Sequence, residues 1–181
     1  MRTWLRIIAG WLCLSNSVFA SYPHFGGSVS LPIVTKDPQH LYGYRAALWY
    51  QPEALILKPN LHIYFDGSFG HWWVTNNLHN KSLNIYAIAP TLRYYFLQKS
   101  TFSSFINLSI GLSYLTRTRL DGQNLGMHFA FQDQLGVGAS FGTKQQLSVV
   151  LSAIHYSNGS LCSKNGGITV PLMVSGEYGF G

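Results

Sequence analysis

The stretch INLSIGLSY, residues 106–114, alternates strictly between two kinds of side chain. Its even positions are apolar or aromatic, and its odd positions are Asn, Ser and Gly. Successive side chains of a β-strand point to opposite faces, so the segment has one apolar face and one small, polar face. This pattern is typical of a strand in a membrane barrel, with lipid on one side and a narrow polar lumen on the other.

The same alternation recurs along the chain, most clearly over residues 127–141. Neither a sustained helical period nor an apolar run long enough for a transmembrane helix follows residue 20. The sequence therefore predicts an all-β fold, an eight-stranded antiparallel transmembrane β-barrel of the outer membrane. The predicted strands lie near 25–34, 41–51, 60–70, 83–97, 102–116, 127–142, 145–157 and 167–180.

The predicted connections differ in length at the two ends of the barrel. Short ones (QPEALILK, QKST and TK) alternate with longer ones, which are VTKDPQ, HWWVTNNLHNKS, RTRLDGQNLG and SNGSLCSKNG. Outer-membrane barrels have short periplasmic turns and longer outer loops. Adjacent aromatic residues near strand ends predict the interfacial girdles of such barrels, namely Trp49, Tyr50, Trp72, Trp73, Tyr94 and Tyr95.

Residues 1–20 have the pattern of a signal peptide. Two arginines precede a short apolar core, and the small residues of VFA precede a predicted cleavage before Ser21. We therefore expect residues 21–181 to form the barrel domain. An uncleaved anchor is the alternative, although the apolar core is short for a membrane span.

Composition favours an outside that faces lipid. Only 10% of the residues are charged, whereas 15% are aromatic. A lipocalin-like soluble barrel is the alternative; it would need a charged outer face, but the non-apolar face here is Ser, Gly, Asn and Gln. After removal of residues 1–20, ten Lys and Arg oppose six Asp and Glu. That excess is too small to indicate nucleic acid as a partner. Cys162 would be a lone cysteine, so no intramolecular disulfide is expected.

The predicted seventh strand places a histidine and a serine on its apolar face. His155 and Ser157 are two residues apart, so they share a face at the outer end of the strand. A polar pair facing lipid is costly except near the headgroups. Histidine is the usual base that activates a serine near neutral pH, and the spacing allows a hydrogen bond between the two. The HxS pattern alone is a weak motif.

The segment HYSNGSL…KNGGI resembles the signature of the PagL-type lipid A deacylases, and APTLRYYF and FQDQLGVGASFG resemble further family segments. The resemblance implies an eight-stranded outer-membrane barrel that removes the ester-linked 3-O acyl chain of lipid A without a cofactor. It implies His155 as general base, Ser157 as nucleophile and Asn158 with nearby backbone N–H groups as oxyanion hole. Asn165 and Gly167 match loop positions of the family.

Thr169 stands where the family has its catalytic glutamate. A threonine hydroxyl orients an imidazole but does not stabilise an imidazolium as a carboxylate does. Asp133 is the tentative third member, because an odd-numbered turn after the sixth strand places it opposite His155 or Ala153. Alternatively, a bulge turns Asp133 into the lumen to pair with Arg93. Asp37 and Asp121, on outer loops, are weaker candidates.

Arg117 and Arg119 lie in a predicted outer loop. Guanidinium groups bind phosphates well, so we predict that they contact the phosphates of lipid A; a solvated loop is the alternative. His71 and His79 have no neighbouring carboxylate or cysteine in the sequence, so no metal site is expected.

The sequence thus predicts a serine esterase that acts on lipid A, or lipopolysaccharide, in the outer membrane. Thr169 leaves one alternative, a catalytically inactive barrel of the same family with a structural or surface-interaction role. The sequence does not decide the oligomeric state, and a homodimer stays open.

Overall fold

The computed structural model describes residues 22–75 and 80–180. The predicted signal peptide, residues 1–20, and His79 lie outside the described residues. Eleven β-strands and a single 3-10 turn make up the described part of the chain. In residues 22–75 and 80–180, no helix is long and apolar enough to cross a membrane.

Eight of these strands are long and form the wall, and three are short. The long strands are β1 (Phe25–Val34), β2 (Leu41–Tyr50), β4 (Leu61–Val74), β5 (Ser82–Lys99), β6 (Phe102–Leu115), β9 (Phe129–Phe141), β10 (Leu147–Ser157) and β11 (Ile168–Phe180). The short strands are β3 (Ile56–Lys58), β7 (Arg119–Leu120) and β8 (Gln123–Asn124).

The long strands close into an antiparallel barrel. Each pairs with the next along the chain, and β1 pairs with β11, which joins the two ends of the sheet. The fold class predicted from the alternating pattern is confirmed. The connections after β1, β4, β6 and β10 share one end, here called the loop end; those after β2, β5 and β9 share the other, the turn end.

Alternation determines which side chains fill the barrel. In β6 every apolar residue of the 106–114 stretch faces outward, while Asn107, Ser109 and Ser113 are buried inside. The lumen is apolar at the loop end, where Trp72, Tyr156 and Leu120 belong to one buried cluster. Deeper in lie two buried ion pairs: Arg45–Asp66 joins the neighbouring strands β2 and β4, and Arg93–Glu177 spans the lumen from β5 to β11.

Two details of the predicted strands differ from the structure. Strand β4 continues to Val74 rather than ending near residue 70, because residues 71–74 keep the alternation and bury Trp72 and Val74. The aromatic pairs are also split between the two faces, since neighbouring residues of a strand point in opposite directions. The outward member of each pair contributes to the outer wall, whereas Trp72 and Tyr95 fill the lumen.

Candidate functional site

His155 and Ser157 lie on the outer wall at the loop end of β10. The neighbouring even-numbered residues, Ile154 and Tyr156, are buried in the lumen, whereas His155 and Ser157 are half-buried on the outside. The structure therefore places this pair on the face that the alternation predicted. Because β10 ends at Ser157, the pair stands where the apolar wall meets the loops.

Strand pairing places His155 in a row of polar side chains. Asp133 of β9 is its cross-strand partner on one side, and Thr169 of β11 is its partner on the other. The five-residue connection between Phe141 and Leu147 gives the register that sets Asp133 opposite His155, as one of the two predicted turns required. Asp133 is exposed on the outer wall, so the alternative in which it enters the lumen is wrong.

Arg93, the lumen residue that this alternative pairs with Asp133, has other partners. Its guanidinium donates to Glu177 Oε2 at 2.8 Å and to Asn107 Oδ1 at 2.9 Å. It also stacks on the Phe105 ring.

The imidazole of His155 is oriented toward β11. Its Nδ1 lies 2.9 Å from Oγ1 of Thr169, within hydrogen-bond distance. Across the described residues, Asp133 makes no hydrogen bond or ion pair with the ring, although the register places the two residues opposite each other. Thr169, at the position where the resemblance implies a glutamate, is therefore the residue that contacts the histidine ring.

Nε2 of His155 is the ring nitrogen left for Ser157. No hydrogen bond between them is formed within the described part of the chain, and catalytic hydrogen bonds often tighten only when substrate is bound. The two residues are neighbours on one face of a strand, about 6–7 Å apart along it.

Asn158 holds the loop between β10 and β11. Its amide nitrogen donates to the carbonyls of Leu125 and Lys164, at 3.0 and 2.6 Å, and its Oδ1 accepts from Ser160 N at 3.0 Å. The side chain is 1% exposed. Both amide hydrogens are thus already used, and in this arrangement none is left for a substrate oxyanion. The role of Asn158 in an oxyanion hole stays a prediction; in this structure its side chain anchors the loop.

A second contact joins the same loop to the segment between β6 and β9. Asn165 Oδ1 accepts the backbone N–H of Asn158 at 3.0 Å, and Gly166 N donates to Asn124 O at 2.8 Å. Sequence reasoning missed this loop-to-loop contact, because it joins segments about forty residues apart through backbone groups that have no sequence signature.

Two glycines border the histidine–serine pair with left-handed backbone conformations. Gly159 has φ +62° and Gly167 has φ +64°. A Cβ on Gly167 would lie 3.2 Å from His155 Cε1 and 3.8 Å from Nε2, so the loop backbone passes directly beside the imidazole. Glycine is the residue that accepts both that conformation and that proximity.

An apolar groove on the outer wall lies next to the pair, one row of residues nearer the turn end. Its lining includes Leu135, Leu151, Ala153 and Pro171. Leu135 and Ala153 are cross-strand partners two residues from the Asp133–His155 row. A wider groove around Gly27 and Gly67 contains no histidine and therefore no base for a serine.

The two predicted phosphate-binding arginines lie at the loop end and are exposed. Arg119 pairs with Asn124 in the β7–β8 hairpin, and the carbonyl of Asn124 contacts the loop that follows Ser157. Arg119 is therefore linked to the site through the hairpin, whereas no contact described here links Arg117 to it. No group of three or more metal-binding side chains occurs in residues 22–75 and 80–180.

Comparisons with known proteins identify the family of this chain. The family model described as lipid A 3-O-deacylase (PagL) matches residues 40–175. The lipid A deacylase PagL of Pseudomonas aeruginosa is 35% identical over 105 residues, which are 58% of this chain and 58% of that protein. The aligned part is thus less than two thirds of that relative.

Two solved structures have the same barrel. The crystal structure of the outer membrane enzyme PagL superposes with a TM-score of 0.71 at 25% identity, over 86% of this chain and 99% of that chain. Neisserial surface protein A gives a TM-score of 0.55 at 10% identity over 86% and 96% of the two chains, which shows only the fold. Because the family model covers the wall from β2 to β11, including the row around His155, this chain belongs to the lipid A 3-O-deacylase (PagL) family.

Proposed function

We propose that this chain is a serine ester hydrolase of the outer membrane that removes the 3-O-linked acyl chain of lipid A. The observation that carries the proposal is the His155 imidazole, held by Thr169 on the outer wall beside Ser157. His155 and Ser157 lie at the height on the wall where the ester bonds of a lipid in the outer leaflet would be. The adjoining apolar groove suits an acyl chain.

The reaction would proceed through an acyl-enzyme. Ser157 Oγ attacks the ester carbonyl while His155 Nε2 takes its proton. The tetrahedral intermediate collapses, the C–O bond to the sugar breaks, and His155 returns the proton to the sugar oxygen. Water then attacks the acyl-serine with His155 again as base. These steps need no cofactor.

The backbone of the loop is the source that we assign for the oxyanion hole. The N–H groups of Gly159 and Gly167 lie next to the pair, and no bonds from them are found in the described ranges. Asn158 would contribute indirectly, by fixing the loop that carries these N–H groups, because its own amide hydrogens bind the carbonyls of Leu125 and Lys164. Backbone donors fixed in this way stabilise developing negative charge strongly.

Charged residues near the site would act in two ways, one beside the histidine and the others on the phosphates of the substrate. Asp133 is the proposed third member from the sequence; opposite His155 it would add negative charge beside the imidazolium. Arg117 and Arg119 are exposed at the loop end, where the phosphates of lipid A would lie. They position the substrate in this proposal and take no part in bond breaking.

The proposal is tested by mass spectrometry of lipid A from cells that produce the chain. We expect loss of one hydroxyacyl mass in cells with the parent protein and unchanged lipid A with Ser157→Ala, since the alanine has no nucleophile. Both barrels must be folded, which the heat-dependent shift in gel mobility reports. Unchanged lipid A with a folded parent barrel would support the alternative, an inactive barrel, which Thr169 favours.

Gly167→Ala is expected to reduce hydrolysis about tenfold or more. The new Cβ would lie 3.2 Å from His155 Cε1, so the ring must turn away from its productive orientation. Gly142→Ala is the matched control, because Gly142 also has a positive φ, +91°, but no heavy atom lies within 4 Å of its Cβ. Both proteins are assayed on lipid A in micelles. Equal losses in the two variants would show that backbone strain alone is responsible.

A further inference from the structure

The hydrogen bond from His155 leaves the Thr169 hydroxyl with a proton to donate. A neutral imidazole that accepts the serine proton at Nε2 carries its own hydrogen on Nδ1. In the tautomer that this role requires, Nδ1–H donates to Thr169 Oγ1 across 2.9 Å, which leaves Oγ1–H to donate to another group. An acceptor with negative charge at that position would polarise the whole chain of hydrogen bonds.

The loop between β1 and β2 brings a carboxylate to that side of Thr169. The backbone of Asp37 forms an antiparallel bridge with Thr169: Thr169 N donates to Asp37 O at 2.8 Å, and Asp37 N donates to Thr169 O at 3.4 Å. Residues paired in this way direct their side chains to the same face, with Cβ atoms about 5 Å apart. Asp37 is thus the next member of the row that runs from Asp133 through His155 to Thr169.

The carboxylate of Asp37 has no partner among the described residues, and its contacts with Thr169 are through the backbone. The residue is half-buried, and within residues 22–75 and 80–180 its side chain makes no hydrogen bond or ion pair. Asp37 precedes the stretch that the family model matches, which starts at residue 40. The family match therefore does not include Asp37.

We propose that Asp37 is a positioning residue that acts on His155 through the hydroxyl of Thr169. This inference rests on the proposed function and assigns to Asp37, rather than to Asp133, the negative charge that stabilises the imidazolium. When His155 accepts the proton of Ser157, Nδ1 keeps its hydrogen, Thr169 donates to the Asp37 carboxylate, and the negative charge stabilises the imidazolium. No proton leaves the row, and the same bonds form and break at Ser157 as in the direct arrangement.

Asp133 stands on the other side of the ring and is the rival source of charge. The imidazole turns its Nδ1 toward Thr169, not toward Asp133. Asp37 is moreover fixed to Thr169 by backbone hydrogen bonds, whereas Asp133 is exposed on the wall. The two acids are separated by parallel substitutions, Asp37→Asn and Asp133→Asn.

The test measures kcat and KM of purified barrels on lipid A in micelles, with Asp37→Asn in two backgrounds. In the parent, we expect kcat to fall about 10- to 100-fold at nearly constant KM, because a full charge near the imidazolium is lost. In a Thr169→Glu background the carboxylate contacts the imidazole directly. There we expect Asp37→Asn to change kcat by less than about threefold.

Several outcomes would overturn the role of Asp37. The first is an unchanged kcat in Asp37→Asn. The second is an equal loss of kcat in both backgrounds, which would indicate a merely structural role. The third is a loss of kcat in Asp133→Asn and none in Asp37→Asn. An inactive parent whose Thr169→Glu variant hydrolyses lipid A would also overturn it while the site itself stands. Inactivity of both would instead reject the proposed function.

Discussion

Replacing His155 with alanine is expected to lower the rate of lipid A hydrolysis by about 10³-fold or more. The substitution removes the base, and serine alone is a weak nucleophile at neutral pH. His155 is half-buried on the outer wall, so its removal leaves the packing of the lumen intact. The rate is measured as release of hydroxy fatty acid from lipid A in micelles.

Ser157→Ala is the companion variant, and the two losses should not add. Residues that act as one catalytic unit give non-additive effects, so the double variant should be about as slow as either single variant. His71→Ala is the control, since His71 also lies on the outer wall but bonds Asn84 on β5 and is remote from Ser157 in the barrel order. A His155→Ala protein with near-parent rates would contradict the assignment of the base.

Glu177→Gln is expected to destabilise the barrel by about 3 kcal/mol or more. The change removes the negative partner of a buried arginine, and an uncompensated buried charge is costly. Arg93 donates to Glu177 Oε2 at 2.8 Å, and both side chains are about one-tenth exposed. The free energy of unfolding is measured by urea titration in detergent micelles or lipid vesicles.

The double variant Arg93→Gln with Glu177→Gln separates charge from packing. When both charges are removed together, no unpaired ion is left, so the double variant should recover part of the stability lost in Glu177→Gln. An additive loss in the double variant would show that packing and neutral hydrogen bonds, including the one from Arg93 to Asn107, account for the effect.

The wall of the barrel was predictable because one physical rule, alternation, governs every long strand. The same rule limited the register of β9 on β10, since a one-residue slip would turn every apolar side chain of β9 into the lumen. It left Asp133 opposite either His155 or Ala153, and the turn in the structure places it opposite His155. The same rule, applied to adjacent aromatics, would have placed Trp72 and Tyr95 inside.

The loop contacts were not predictable in the same way. The side-chain amide of Asn158 binds the carbonyl of Leu125, and Asp37 bridges Thr169 through backbone groups that nearly every residue carries. Such contacts depend on the course of the loop backbone, which no periodic sequence pattern predicts. The orientation of the His155 ring toward Thr169 was not predictable either, because side chains on both neighbouring strands lie within reach of the ring.

The most direct test of the central claim is to ask whether Ser157 is a nucleophile that His155 activates. The folded barrel in micelles is treated with a serine-reactive fluorophosphonate, and the modified residue is located by peptide mass spectrometry. We expect one phosphonate on Ser157 in the parent, none in Ser157→Ala, and a rate of labelling reduced about 10²-fold or more in His155→Ala. Labelling elsewhere, or equal labelling with and without His155, would contradict the account.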